Sequence, residues 1–342
     1  RPRGVAGAGC EHRKQYVAPR DELERVVCQL WQEALNVSPI GMEDDFFALG
    51  GHSILAMQVA YRLSRLLQRE LSVADLFKYR TIGKLCGALK GKADLKQIPI
   101  FSGSRAPLSY AQERLWFIEQ YEREASPYHI FLRFKYSPEI LESIHRMVAR
   151  HEVLRSRFVQ DELGTYQEVF EASLLVEDVS NLQGFIQRKF DLTSDYPLRI
   201  GHYEEYLLLV IHHIAFDGWS MNVLQEELSG HEVALEIQYK DFAVWQRSEV
   251  ESRWDELRGY WLEKLSGIEV LQLPTDYPRP SRIDYRGASI GFDLPLEVQA
   301  FSERHQVTPY TTCLTALGLL LSSYAGQKDL VIGTPVANRQ HP

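Results

Sequence analysis

Two short stretches of this chain hold residue types that do chemistry. Ser53 closes the run Asp45-Phe46-Phe47-Ala48-Leu49-Gly50-Gly51-His52-Ser53 and is followed by Ile54 and Leu55. A serine at a Gly-Gly turn, just ahead of a long amphipathic segment, presents a hydroxyl that a modifying enzyme can reach. Serine also caps helices well, so the plain alternative is an N-cap with no chemistry. Much further along, His212-His213-Ile214-Ala215-Phe216-Asp217-Gly218 follows directly on the apolar run Tyr206-Leu207-Leu208-Leu209-Val210-Ile211. Imidazole is the side chain best matched to exchange a proton near neutral pH. Successive side chains of a strand point to opposite faces, so one histidine can face a cavity while its neighbour packs inward. Asp217, in the turn beside Gly218, needs a cationic or hydrogen-bonding partner if buried. Two satisfied histidines at a strand end are the plain alternative here. A metal site is disfavoured, because adjacent histidines on opposite strand faces rarely share one ion and no HExxH or carboxylate cluster accompanies them.

The segments around these residues must position them. Asp21 and Glu24 have capping-box spacing, and Leu23, Val26, Val27, Leu30, Trp31 and Ala34 after them form one apolar helical face. A long loop with Pro39 and Gly41 leads to Gly50. A second helix is expected over 53–70, with Leu55, Ala56, Val59, Ala60, Leu63, Leu66 and Leu67 inward and Arg62, Arg65 and Arg69 on a solvated face. A short helical turn over 72–77 and a last helix capped by Thr81 complete a small four-helix bundle. Residues 93–106 read as a linker, and residues 1–17 as a tail or remnant. From Leu108 on, helical and strand patterns mix, as in an α/β or α+β sandwich. Helices are expected over 111–121, 140–151, 219–228 and 310–324. Strands are expected over 203–214 and at Leu330-Val331-Ile332, with a further one opening within 152–158. The aromatic group Tyr239, Phe242 and Trp245 reads as core packing, and Tyr277-Pro278-Arg279-Pro280 as an extended surface segment.

Composition bounds the function classes. The chain has 342 residues, 45% hydrophobic and 25% charged, enough for two domains with buried cores. Its net charge of −8 argues against a broad nucleic-acid surface. Cys10, Cys28, Cys86 and Cys313 are widely spaced with no C-x-x-C pair, which suits a reducing cytoplasm rather than a disulfide framework or a zinc site. No run is apolar enough to span a bilayer, and the basic N-terminal stretch has no apolar core of a secretion signal.

Taken together these motifs resemble a nonribosomal peptide synthetase over nearly the whole chain. Asp-Asp-Phe-Phe-x-Leu-Gly-Gly-His-Ser, ending at Ser53, is similar to the carrier (thiolation) motif, and places a peptidyl carrier domain at 18–92. Four stretches resemble the condensation domain and place it at 107–342. They are Ser109 to Phe117, Arg150 to Phe158, the HHxxxDG signature from His212 to Gly218, and Tyr239 to Gln246. The resemblance implies a 4′-phosphopantetheine arm on Ser53, added by a separate phosphopantetheinyl transferase. It implies a chloramphenicol-acetyltransferase-like α/β fold of two lobes in a V, with His213 at the centre of a tunnel. There the amine of an acceptor aminoacyl group on a downstream carrier attacks a donor thioester loaded by an upstream adenylation domain. His213 is either a general base or a positioning group, and His212, Asp217 and Gly218 complete the signature. Donors near Gly218 and Trp219 are candidates for holding the oxyanion. Asp217 is expected to support its loop through an arginine, Arg155 first and Arg157 second.

Details of the motifs narrow the subtype. His52 stands where carriers feeding epimerisation domains usually show Asp, and the Asp-rich heterocyclisation signature is absent. The first motif and Gly333-Thr334-Pro335-Val336-Ala337-Asn338-Arg339 resemble the subtype joining two L or achiral residues. Relative to the family, the second lobe ends early, the interval from Gly218 to Tyr239 is short, and 126–142 is compressed. Alternatives are a non-catalytic recruitment platform, which usually has a degraded signature, an ester-forming condensation domain, and an acyltransferase acting on free coenzyme A.

Overall fold

The computed structural model describes residues 16–51, 53–92, 94, 97–121, 128–162, 164–171, 173–232, 234–278, 287–305, 307–334 and 336. His52, most of the N-terminal tail, part of the linker, residues 122–127, Arg279-Pro280, Pro335 and the end of the Gly-Thr-Pro stretch lie outside them. The chain divides into two compact units. One holds the N-terminal helices and the last two helices, and the other spans Ile98–Val270 with Thr275–Ile290.

In the first unit, α1 (Glu22–Leu35) starts at Asp21, whose carboxylate accepts from the Glu24 N–H at 2.8 Å. Glu24 accepts from the Arg20 N–H at 2.6 Å, one residue earlier than a capping box would have it. Then come α2 (Ser53–Leu67), α3 (Val73–Lys78) and α4 (Ile82–Leu89), the last two capped by Ser72 and Thr81. Val27, Leu30 and Trp31 meet Ala56, Val59, Ala60 and Leu63 in one core. Leu66, expected inside, is 62% exposed; in the last turn of α2 burial is confined to the Leu63 and Leu67 side. The loop before α2 belongs to this core, because Ile40, Met42 and Phe46 are buried in it. Of the arginines expected on a solvated face, Arg62 pairs with Glu33 at 2.9 Å. Arg69 donates to the Leu89 carbonyl at the end of α4 and to the Lys92 carbonyl just beyond it.

The second unit alternates strands and helices. Its elements are β1 (Arg105–Pro107), α5 (Tyr110–Tyr121), β2 (His129–Lys135), α6 (Pro138–Arg150), β3 (Ser156–Asp161), β4 (Gly164–Val169), β5 (Val176–Asp178), α7 (Leu182–Gln187), β6 (Leu198–Tyr203), β7 (Tyr206–His212), α8 (Gly218–Leu228), α9 (Tyr239–Ser252) and α10 (Trp254–Lys264). One sheet has the order β1-β4-β3 and the other β2-β7-β6-β5, in which only the β5–β6 pair is parallel. Strand β7 is buried on both faces, as its continuous apolar run demands. Leu207, Leu209 and Ile211 pack with Ile144, Met147 and Val148 of α6 and Leu224 of α8. Leu208 and Val210 pack on the other side with Leu115 and Trp116 of α5 and Phe185 of α7. His212 continues the second parity, so its ring points to the α5 side.

Helix α9 ties the first and fourth motifs together. Tyr239 and Ser109 hydroxyls meet at 2.9 Å, Gln246 accepts from the Tyr110 N–H, and Arg247 donates to the Leu108 carbonyl at 2.8 Å. Tyr239, Phe242 and Trp245 touch in series but are half-buried rather than core. The strand expected to open within 152–158 does so at Ser156, after a 3-10 turn over 152–155 whose end is tied by the Ser156 hydroxyl donating to the Glu152 carbonyl.

Two helices of the first unit follow in the chain, α11 (Leu296–Arg304) and α12 (Pro309–Ala325). Helix α12 is apolar as expected, yet none of its described residues is buried. Leu330-Val331-Ile332 forms no strand: a strand needs a ladder, and among the described residues this segment pairs with nothing. Cys28 and Cys86 are buried thiols, and burial pushes Cys86 up to about 12. Among the described residues no helix is long and apolar enough to cross a membrane.

Candidate functional site

The turn ahead of Ser53 is built on Phe46. The Gly51 N–H donates to the Phe46 carbonyl at 2.9 Å, and Gly50 takes a φ of 101°, open only to glycine at low cost. A Cβ at Gly51 would lie 2.3 Å from the Phe46 ring and 2.6 Å from its carbonyl oxygen, so nothing larger than glycine fits. Asp45 braces the same loop, accepting from the Phe47 and Ala48 N–H groups and pairing with Arg80 at 2.8 Å. Ser53 is thereby the first residue of a 15-residue helix with no acidic residue in its first turn. A helix N-terminus favours an anion, so a phosphodiester on Ser53 would meet the positive end of α2, whose first turn holds no acidic residue. The residues present therefore fit a phosphopantetheine arm.

The histidine pair resolves as strand alternation requires. His212 is fully buried, and His213, the first residue past β7, is exposed. The His213 N–H donates to the Tyr128 carbonyl at 2.8 Å, and the Tyr128 ring stands edge-on to the imidazole at 6.5 Å between centroids. The Ala215 N–H returns to the His212 carbonyl at 3.0 Å, closing a turn around His213. The chain then enters α8, with Asp217 as its N-cap. Asp217 accepts from the Ser220 N–H at 2.9 Å and its hydroxyl at 2.7 Å. Gly218 and Trp219 follow as the first two helical residues, whose N–H groups have no intrahelical partner by helix geometry. The arginines expected to support Asp217 are engaged elsewhere: Arg155 donates to the Phe170 carbonyl at the end of β4, and Arg157 lies over the Phe170 and Tyr196 rings at 4.4 and 5.3 Å, while Asp217 turns to Ser220 as the cap of α8.

Two neighbours of His212 went unremarked in the sequence. Glu119 of α5 places its carboxylate 3.4 Å from His212 Nε2, with the Glu119 side chain 8% exposed. Its signal was there: Gln112, Leu115, Trp116 and Glu119 share one helical stripe at i, i+3, i+4 and i+7, so a carboxylate sits on a buried face. His129 is the register partner of His212 across β2 and β7, at 5.9 Å between rings. Strand register is not legible from sequence spacing, which is why it was missed. Burial pushes the His129 imidazole down to about 4 from the ordinary 6.5. As the pH falls from 6.5, the unfolded chain therefore takes up a proton that the folded chain refuses until about 4. Stability is lost across that window, and His129→Gln is expected to flatten the acid-side fall in Tm relative to the unaltered protein. Identical slopes in the two melts would refute this.

Two family models match the chain, the phosphopantetheine attachment site over residues 25–89 and the Condensation domain over residues 103–342. The chain therefore belongs to the condensation-domain family, with a helical phosphopantetheine-attachment domain ahead of it. Its relatives are nonribosomal peptide synthetases. It is 33% identical over 358 residues to tyrocidine synthase 3 of Brevibacillus parabrevis, covering 95% of this chain and 6% of that protein. It is 33% identical over 380 residues to the N-(5-amino-5-carboxypentanoyl)-L-cysteinyl-D-valine synthase of Amycolatopsis lactamdurans, covering 98% of this chain and 10% of that one. The chain thus spans a small fraction of the length of these relatives. In fold it is similar to a holo four-domain nonribosomal peptide synthetase bound to AMP and glycine, with a TM-score of 0.60, 24% identity, and coverage of 72% of this chain and 21% of that one. The X-domain in complex with OxyB from teicoplanin biosynthesis gives a TM-score of 0.58 at 22% identity, covering 68% and 60%. The mixed helix and sheet unit after an N-terminal helical carrier thus has the chloramphenicol-acetyltransferase-like condensation fold.

Proposed function

We propose that this chain joins a donor aminoacyl or peptidyl group, presented by its own carrier at 18–92, to the amine of an acceptor aminoacyl group on a downstream carrier. The condensation domain at 107–342 would carry the reaction, with 93–106 as the linker. The observation that carries this reading is the exposed imidazole of His213 beside the fully buried His212, at the mouth of α8. The arm on Ser53, when bound, supplies a thiol that bears the donor as a thioester and the reach to bring it to His213. His213 takes the proton released as the amine nitrogen bonds to the acyl carbon and the carbon–sulfur bond breaks, or holds that amine by a hydrogen bond. The N–H groups of Gly218 and Trp219, at the positive end of α8, are suited to receive the charge that develops on the acyl oxygen. His212 and Asp217 hold the turn. An adenylation domain upstream, an acceptor carrier downstream, a phosphopantetheinyl transferase and a cytoplasmic setting belong to the same reading.

The subtype joining two L or achiral residues is favoured by the first motif and by the Gly333-to-Arg339 stretch. One experiment tests arm and subtype together. After incubation with coenzyme A and a phosphopantetheinyl transferase, intact mass spectrometry is expected to show the gain of one arm, abolished in Ser53→Ala. Carrier loaded with an L-aminoacyl arm is then expected to condense with an acceptor carrier. Condensation of a D-configured donor alone would overturn the subtype, and an unmodified Ser53 would overturn the carrier.

Arg155 supports the turn between the 3-10 segment and the end of β4, since the Phe170 N–H also returns to the Arg155 carbonyl at 3.2 Å. Arg155→Ala is expected to cost about 1.5–3 kcal/mol, the range for a hydrogen bond to a charged group, and to lower Tm together with rate. An unchanged Tm with lost activity would show a direct chemical role instead.

A further inference from the structure

The backbone at His213 is clipped by the side chain of the residue before it. The Ile214 N–H donates to Nδ1 of His212 at 3.1 Å, so the imidazole of His212 reaches past His213 and holds the residue beyond it. An Nδ1 that accepts must be unprotonated, which leaves the ring proton on Nε2. That nitrogen faces the carboxylate of Glu119 at 3.4 Å, the side chains being 0% and 8% exposed. Among the described residues of this pocket the other polar groups are occupied elsewhere or cannot substitute. His129 engages the Ile186 carbonyl through Nδ1 at 3.3 Å, and its Nε2 finds no hydrogen-bond partner among the described residues. Arg199 lies over the Phe190 ring at 4.2 Å and donates to the Ile186 and Arg188 carbonyls. Phe190 stands edge-on to both histidines, at 5.0 and 6.0 Å. Among the described residues Glu119 is the acidic group that faces the His212 ring.

We propose that Glu119 is a positioning residue for His213: its carboxylate fixes the Nε2–H tautomer of His212, whose Nδ1 then clasps the Ile214 N–H and holds the turn that presents His213. The chain of contacts is short and directional. Helix α5 sets the carboxylate, the carboxylate sets the tautomer, and the tautomer decides whether Nδ1 accepts or donates. With the proton on Nδ1 instead, two donors would face each other at Ile214 and the turn would open. A buried amide left without an acceptor is disfavoured, which displaces an exposed turn residue without unfolding a β-strand buried on both faces.

The inference rests on the peptide-forming reading for its kinetic arm, and its spectroscopic arm stands apart. Glu119→Met and Glu119→Gln are nearly equal in volume and differ in whether an acceptor oxygen remains, so a fold that tolerates one tolerates the other. In long-range 1H–15N spectra of the full chain with 15N-histidine, His212 is expected to show a protonated Nε2 and an unprotonated Nδ1. Glu119→Gln is expected to keep that signature, and Glu119→Met to lose it and to shift the His213 ring signals. With loaded carrier, Glu119→Met is expected to lower kcat about tenfold to a hundredfold at nearly constant acceptor KM, with Glu119→Gln restoring most of it. An unchanged His212 tautomer in Glu119→Met, or a Gln variant as impaired as the Met variant, would overturn the proposal. Absence of any amide product from the unaltered protein would overturn the peptide-forming reading, while the His212 and His213 signals would still decide the positioning claim.

Discussion

His213→Ala is expected to slow amide formation by about 10²- to 10⁴-fold, the usual contribution of a positioned general acid–base group. The fold should not notice the change. His213 is exposed, among the described residues its ring meets Tyr128 edge-on, and the hydrogen bond it makes there, to the Tyr128 carbonyl, comes from its backbone, which alanine keeps. Surface truncations of this kind stay within about 0.5 kcal/mol. Residual activity is also expected, because delivering two tethered groups to one place is itself worth effective molarities of about 10⁵–10⁸ M where geometry is good. His213→Gln separates the two roles. Glutamine can hold an amine by a hydrogen bond but is not a base near neutral pH, so its recovery of rate would assign His213 to positioning and its failure to proton transfer. Single-turnover amide formation with loaded donor and acceptor carriers reads all three proteins. A His213→Ala variant at the unaltered rate would remove the imidazole from the chemistry and leave docking of a partner as the role of this domain.

How much of this site could be read from the chain depends on the range of the interaction. Caps are local, and Asp21 and Thr81 cap the helices expected of them, because a side-chain oxygen reaching an N–H three residues on is decided by neighbours in sequence. The opposite fates of His212 and His213 were legible for the same reason, from the two-residue period of a strand and the apolar run before it. The pairing of His129 with His212 was not, since β2 and β7 are far apart in sequence and their register is set by packing on both faces of the sheet. Glu119 lies between these cases: its stripe was visible, but its target was not. Apolarity alone also misled, at Leu330-Val331-Ile332, where an apolar triplet pairs with no strand among the described residues, and at Leu66, which keeps the helical period yet ends exposed at 62%. The short strands β1, β4 and β5 carry no strong pattern of their own and exist through their partners.

The carrier offers the second large effect. Phe46 is fully buried, meets the Trp31 ring edge-on at 4.9 Å, and is the floor on which Gly51 rests. Truncating such a residue costs about 3–5 kcal/mol through lost transfer energy and the cavity left behind. A helical unit as small as the one matched over residues 25–89 buries a limited share of its surface, and stabilities of about 5 kcal/mol are typical at the lower end of single domains. Phe46→Ala is therefore expected to leave much of the carrier unfolded at ordinary temperature. The cores around β7 draw on none of the carrier residues, so the melting of the unit spanning Ile98–Val270 should be unaffected. Arm attachment at Ser53 should fall with the folded fraction of the carrier, because the Gly50-Gly51 turn has lost the ring and the ordered carbonyl beneath it. Hydrogen exchange read domain by domain, with the rate of phosphopantetheinylation beside it, checks both halves. Protection lost in both domains would mean that their cores are energetically joined, and full-rate attachment on an unfolded carrier would mean that the transferase reads the Ser53 segment without its helical frame.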